Sequence, residues 1–110
     1  MAKRNIQLRT KCDFELTMDI IGGKWKGIII YHLFKGPKRF VELRRLLPEI
    51  TQRMLTLQLR ELEKDKIVSR KVYAEVPPKV EYSLTALGKA LDPAFGKINE
   101  WGAFYKSKNK

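Results

Sequence analysis

The side chains best suited to chemistry in this sequence are hydrogen-bond donors gathered in one short segment. Arg53 can bridge two acceptors on a guanine edge, and Gln52 and Thr56 can also reach the edges of bases. Arg60 and Lys64, further along the chain, carry charges that suit phosphate oxygens. This group of residues predicts recognition of nucleic acid, provided that the side chains share one exposed face.

Residues that suit catalysis or metal binding are few. Cys12 and His32 are the soft metal ligands of the chain, and such a pair cannot close a tetrahedral zinc site in one subunit. A phosphate loop at Gly23-Lys24 would need a glycine and a hydroxyl residue where Met18 and Trp25 stand. Because no acid-base pair or nucleophile triad is evident, we expect no enzyme activity, no cofactor and no metal.

The donor-rich segment has the spacing of an amphipathic helix. Leu55, Leu59 and Leu62 form one apolar stripe at helical spacing, and Thr51 can cap the helix at its start. Ile50 just before the cap can pack against Leu55 as a hydrophobic staple. The opposite face carries Arg53, Thr56, Leu57, Arg60 and Lys64.

A shorter helix precedes this one. Phe40, Leu43 and Leu47 recur at i, i+3 and i+7, and Pro48 ends the pattern. Two helices joined by a tight turn form a helix-turn-helix, whose second helix can enter the major groove. We therefore also expect the cap residue, Thr51, to lie close to nucleic acid.

A β-hairpin is predicted after the second helix, with strands in 67–74 and 80–84. The loop between them contains Pro77 and Pro78, so it should project as a wing. Basic residues on or near this hairpin are expected to contact phosphates or the minor groove, although lysines on exposed strands also prevent aggregation. They are Arg70, Lys71 and Lys79, with Lys38 and Arg39 extending the positive surface beside the first helix.

Two further helices are expected before the helix-turn-helix, and a helical stretch after the hairpin. Residues 14–21 suggest a helix ended by Gly22-Gly23, and 24–34 suggest a helix buried nearly all round. The last helical stretch restarts at Asp92-Pro93. It carries more apolar surface than a small core can hide, and we expect dimerisation through Phe95, Ile98, Trp101, Phe104 and Tyr105.

Composition and charge agree with a nucleic-acid partner. The chain has 110 residues, 44% of them hydrophobic, which predicts a single globular domain. Lys and Arg total 23 against 12 Asp and Glu, a net charge of +11. This charge favours nucleic acid first and an anionic membrane second, but the terminal helix has only Lys97 and Lys106 nearby, so no membrane binding is expected.

The ends of the chain contain basic residues and no targeting signal. No apolar run is long enough for a signal peptide or a membrane span, and one cysteine permits no disulfide within the chain. We therefore expect a soluble, cytoplasmic protein. Within its single domain, 1–11 and 107–110 are predicted basic tails, 12–85 the helix-turn-helix and wing, and 86–106 the dimerisation helices.

Several separate segments resemble one known family, the HxlR-type winged helix regulators of bacteria and archaea. They are Ile21-Gly22-Gly23-Lys24-Trp25-Lys26, Gly36-Pro37-Lys38-Arg39-Phe40, Thr51-Gln52-Arg53-Met54-Leu55-Thr56, Leu59-Arg60-Glu61-Leu62 and Val76-Pro77-Pro78-Lys79-Val80-Glu81-Tyr82-Ser83-Leu84-Thr85. The similarity extends from Cys12 to Trp101. It implies a dimeric DNA-binding regulator with 51–64 as recognition helix, Pro77-Pro78 as wing tip and the terminal helices as dimer interface.

The resemblance also implies a role for Cys12, since some relatives use a matching cysteine to sense electrophiles or oxidants. The start of a helix and the neighbouring Lys11 favour a reactive thiolate, whereas Asp13 opposes it. An inert side chain in the N-terminal segment is an equally acceptable interpretation.

The sequence thus predicts a mainly α-helical fold with a small β-hairpin, a winged helix-turn-helix. Its expected function is sequence-specific binding of double-stranded DNA as a homodimeric transcriptional regulator, with an oxidant or small molecule as a possible effector. The alternative is a winged helix that binds RNA or protein without recognising an operator.

Overall fold

A computed structural model of the chain describes residues 12–109. Helices in this part of the chain are α1 (Asp13–Ile21), α2 (Lys26–Leu33), α3 (Phe40–Leu46), α4 (Gln52–Lys64), α5 (Ala86–Lys89) and α6 (Asp92–Lys108). Strands β1 (Val68–Tyr73) and β2 (Lys79–Leu84) lie between α4 and α5. The predicted tail 1–11 lies outside the described residues.

The core is formed where α2 packs against the helix pair α3 and α4. Its fully buried side chains come from these three helices, because each of them turns an apolar stripe inward. They are Ile29, Ile30, Leu43, Leu55, Leu59 and Leu62. The predicted apolar stripe of α4 is therefore confirmed as the face that holds this helix on the core.

The hairpin is antiparallel, and its register pairs Val68 with Leu84 and Tyr73 with Lys79. Val68 and Leu84, at the end nearest the helices, are buried in the core. The outer edge of β2 also pairs with Lys38, whose N–H donates to the Tyr82 carbonyl over 2.9 Å. Helix-turn-helix, hairpin and this short third pairing make up a winged helix fold, as predicted.

Helix α1 ends at the two glycines, as expected, but for two different reasons. Gly22 has φ −76°, so its role is steric: a Cβ there would lie 2.2 Å from the carbonyl oxygen of Met18. Gly23, with φ +87°, supplies the left-handed backbone that glycine adopts at low cost. The chain then turns sharply into α2.

Two details of the helices differ from expectation. The prediction that α2 is buried nearly all round is wrong, because Ile28 and Tyr31 are each 41% exposed and line a groove between α1, α2 and α6. Helix α6 begins with Asp92 as a helical residue and Leu91 as its cap, and it runs to Lys108, two residues into the segment predicted as a tail.

Candidate nucleic-acid interface

Helix α4 is fixed at its start by local hydrogen bonds. The Thr51 hydroxyl accepts from the Met54 N–H over 3.0 Å, which confirms the predicted cap. In the turn before it, the Ile50 N–H donates to the Leu47 carbonyl over 3.0 Å, and Arg44 reaches the Ile50 carbonyl at 3.5 Å. The turn therefore holds α3 and α4 in a defined relation.

The outward face of α4 carries most of the predicted nucleic-acid ligands. The structure leaves Gln52, Arg53, Arg60 and Lys64 exposed, with Thr56 and Leu57 half-buried on the same side of the helix. The Thr56 hydroxyl donates to the Gln52 carbonyl over 2.9 Å. Its proton is thus used within the helix, so Thr56 offers a base an acceptor oxygen and a methyl group.

The two acidic residues of α4 each pair with a cation on another element. Glu61 pairs with Lys26 at the start of α2, and Glu63 pairs with Arg70 of β1, with Nε and Oε1 3.4 Å apart. These pairs neutralise the charges of the glutamates, so the charge of the outward face is determined by its exposed cations. The surface that α4 presents is consequently positive.

The Lys26–Glu61 pair is a structural feature of α4 that was not predicted from the sequence. Its side chains are 8% and 15% exposed, so the pair is largely removed from water. The available signal was a lysine inside the apolar run of α2, since a buried lysine requires a partner of opposite charge. Its partner, however, lies 35 residues away along the chain.

The wing lysines gather around one aromatic ring. Lys71 and Lys79 place their Nζ atoms 4.8 and 4.9 Å from the centroid of the Tyr73 ring. The Tyr73 hydroxyl donates to Glu81 over 3.0 Å, and Lys79 lies 3.5 Å from the same carboxylate. Both lysines therefore lie on one face of the hairpin, while the wing tip projects with Val76 99% exposed.

The other predicted cations near the wing occupy different environments. Arg70 points toward α4 through its ion pair with Glu63, so it bridges wing and helix. Lys38 is half-buried beside β2, and Arg39 is exposed at the start of α3. Burial, and then the charge of Glu63, raises the pKa of Tyr82, which packs against the core between these groups.

A second surface is apolar and lies on α1, α2 and α6. Its exposed side chains are Phe14, Met18, Ile28, Tyr31, Ile98, Trp101, Phe104 and Tyr105. A groove of about 450 Å³ runs between Met18, Ile28 and Ile98, and the Trp101 and Tyr105 rings stack 5.3 Å apart on the exposed side of α6. Such a surface is typical of an interface with another protein chain.

Phe95, which is also predicted to take part in dimerisation, lines the groove but is much less exposed than the other residues of this surface. It is 9% exposed and meets Phe34 edge to face, with ring centroids 5.4 Å apart. Phe95 is near the start of α6, where the helix still touches the core, whereas the later aromatic residues extend beyond it. Most of its aromatic surface is therefore covered within one subunit.

Cys12 is exposed and caps α1. Its Sγ accepts from the Glu15 N–H over 3.5 Å, and the Glu15 carboxylate accepts from the Cys12 N–H over 3.4 Å. Modification of the sulfur would therefore act directly on the cap.

Residues 12–109 contain no cluster of side chains that could hold a metal ion, and none of the described helices could cross a membrane.

Comparisons with known proteins identify the family. The profile described as HxlR-like helix-turn-helix matches residues 20–110. The chain belongs to the HxlR family. An HxlR relative from Bacillus subtilis (strain 168), the uncharacterized HTH-type transcriptional regulator YdeP, is 61% identical over 97 residues, covering 88% of this chain and 76% of YdeP.

Solved structures of similar proteins support the same fold for this HxlR chain. The redox regulator HypR in its oxidized form is 63% identical with a TM-score of 0.80, covering 84% of this chain and 95% of HypR. The reduced form of the transcriptional regulator YodB from B. subtilis is 42% identical with a TM-score of 0.75, covering 84% and 91%. The chain is thus a transcriptional regulator of the helix-turn-helix type with a winged helix fold.

Proposed function

We propose that this regulator binds double-stranded DNA sequence-specifically as a homodimer, with α4 in the major groove and the wing beside it. The observation that carries the proposal is the outward face of α4. Its exposed cations are Arg53, Arg60 and Lys64, while the glutamates of the helix pair with other elements. The net charge of +11 adds a long-range attraction between the protein and a polyanion such as DNA.

Within this proposal the residues have distinct roles. Arg53, Gln52 and Thr56 face base edges, because they lie in the first half of the recognition helix. The remaining residues contact phosphate or sugar and position the helix. They are Lys38, Arg39, Thr51, Arg60, Lys64, Arg70, Lys71 and Lys79.

The homodimer uses the apolar surface of α1, α2 and α6. Ile98, Trp101, Phe104 and Tyr105 form one exposed side of α6, and a second copy is the simplest chain with a matching surface. A two-fold dimer places two recognition helices about one turn of B-DNA apart, roughly 34 Å or a multiple of that distance. This arrangement favours DNA over structured RNA as the ligand.

A redox response is the regulatory part of the proposal. HypR has been solved in oxidized and reduced forms, and YodB after treatment with diamide and bound to a quinone. In this chain Cys12 is exposed, and it is the single cysteine. A disulfide made by Cys12 must then be either a bond between the Cys12 residues of two subunits or a mixed disulfide with a small thiol.

The proposal is tested by selecting duplexes from a random pool with the purified chain. We expect enrichment of a sequence with two-fold symmetry. Footprinting should show two protected half-sites whose centres are about 34 Å apart, or a multiple of that distance. A hairpin RNA of equal charge serves as competitor. Equal binding of the RNA and of the selected duplex, or enrichment of no sequence, would show that the chain does not recognise an operator.

A further inference from the structure

Leu57 occupies an unusual position on the recognition helix. It lies two residues from both Leu55 and Leu59, and at about 100° per residue this turns it roughly 200° away from the buried Leu55. In the described part of the chain it is not among the half-buried apolar side chains that pack against the core. An apolar side chain thus stands at the centre of the face that an amphipathic helix normally reserves for polar residues.

Cations lie beside Leu57 on this face, and its acidic neighbour Glu61 is paired with Lys26 of α2. Arg53 lies four residues before it and Arg60 three residues after it, which are the spacings of neighbouring side chains on a helix surface. Lys64 continues the same row one turn further on. If the cations engage phosphates and a guanine, Leu57 is held between them against the floor of the groove.

The chemistry of the major groove restricts what a leucine can contact there. Guanine, cytosine and adenine present hydrogen-bonding groups on that edge, and a leucine would remove water from those groups without replacing its hydrogen bonds. Thymine, besides its O4 acceptor, presents a C5-methyl group, which is apolar. Leucine against that methyl buries two apolar surfaces and needs no hydrogen bond for the contact.

We propose that Leu57 is a specificity-determining residue that selects thymine through its C5-methyl group. This inference rests on the proposed binding of α4 in the major groove. It adds to Arg53, Gln52 and Thr56 a base contact that involves no hydrogen bond.

The test replaces thymine by deoxyuridine, which lacks only the methyl group, one position at a time in the duplex selected by the wild-type chain. We expect affinity for wild type to fall about fourfold at one position of each half-site, equivalent to about 0.8 kcal/mol for one buried methyl. Leu57→Ala should bind the thymine and deoxyuridine duplexes equally at that position. Leu57→Met, which keeps a long apolar side chain, should restore the difference.

Leu87→Ala is the matched control, because Leu87 is an exposed leucine on α5. It should retain the wild-type pattern of deoxyuridine sensitivity. If Leu57→Ala keeps that pattern while binding the selected duplex, Leu57 does not read thymine and the proposed function still stands. If the wild-type chain enriches no duplex, both proposals fail together.

Discussion

Lys26 at the start of α2 and Glu61 in α4 form an ion pair that is almost entirely buried, with side chains 8% and 15% exposed. The pair ties the central helix of the core to the helix proposed to read DNA. Gly27, the next residue along α2, lines the apolar groove. The ion pair therefore joins the helix that borders the groove to the recognition helix.

Removing one partner of this pair should destabilise the fold. We expect Lys26→Met to lower the free energy of unfolding by about 3 kcal/mol, because the Glu61 carboxylate would stay buried without its cation. Urea unfolding of the purified chain measures the change. The double variant Lys26→Met with Glu61→Leu should recover most of the loss, since an apolar pair of similar size needs no desolvation of charge.

The same double variant separates stability from the orientation of α4. If the ion pair sets the rotation of α4, the recovered protein should still discriminate the selected duplex from random DNA less well than wild type. Full discrimination in the double variant would mean that apolar packing through Leu55, Leu59 and Leu62 is sufficient to orient the helix.

Base readers and phosphate contacts should differ in their effect on DNA binding. Arg53→Ala should cost about 1 to 3 kcal/mol on the selected duplex and relax the preference at one base position. Lys79→Ala should weaken all duplexes alike and reduce the slope of log affinity against log salt by about one. Titrations at several salt concentrations, on selected and random duplexes, measure both. Equal losses on the two duplexes for Arg53→Ala would contradict its role as a base reader.

Replacing Trp101 or Phe95 of α6 by alanine should have different effects. Trp101→Ala should lower the dimer fraction and the affinity for DNA together, because Trp101 is 63% exposed on the proposed interface. Phe95→Ala should instead lower the free energy of unfolding by about 3 to 5 kcal/mol, as expected for a buried phenylalanine. Sedimentation and urea unfolding distinguish the two effects. An unchanged dimer for Trp101→Ala would place the interface elsewhere.

Oxidation should act through Cys12 if the redox proposal is correct. Diamide accepts two electrons and two protons from two thiols, so it can join the Cys12 residues of two subunits or, with added glutathione, form a mixed disulfide. We expect diamide to change DNA binding of wild type, and Cys12→Ser to remain unresponsive. Non-reducing electrophoresis identifies the product. An equal response of both proteins, or of neither, would exclude Cys12 as the sensor.

His32 should make stability depend on pH. Burial, followed by the charges of Lys35 and Lys38, lowers the pKa of His32 below the ordinary value of 6.5 for a histidine. The unfolded chain then binds more protons than the folded chain, so stability is lost as pH falls through about 6.5. Urea midpoints at about pH 7.5 and 5.5 should differ less for His32→Gln than for wild type. An identical difference in the two proteins would assign the pH dependence to other groups.

Local features of the fold were predictable from the sequence because short-range chemistry decides them. Thr51 caps α4 because its hydroxyl reaches an N–H only three residues away, and the leucine stripe of α4 follows from helical periodicity. The start of α6 was less predictable, since Asp92 and Leu91 can each occupy the cap position. Local sequence also indicated that Arg53, Arg60 and Lys64 share a face.

The sequence by itself determined the order of the elements, the face of α4 that meets the core and the positive charge of the opposite face. Only the tertiary structure decided which distant groups pair, as for Lys26 with Glu61 and Arg70 with Glu63. It also decided that Phe95 is covered while Trp101 is exposed. The periodicity of a helix is determined by its own sequence, whereas burial and ion pairing depend on which other elements pack against it.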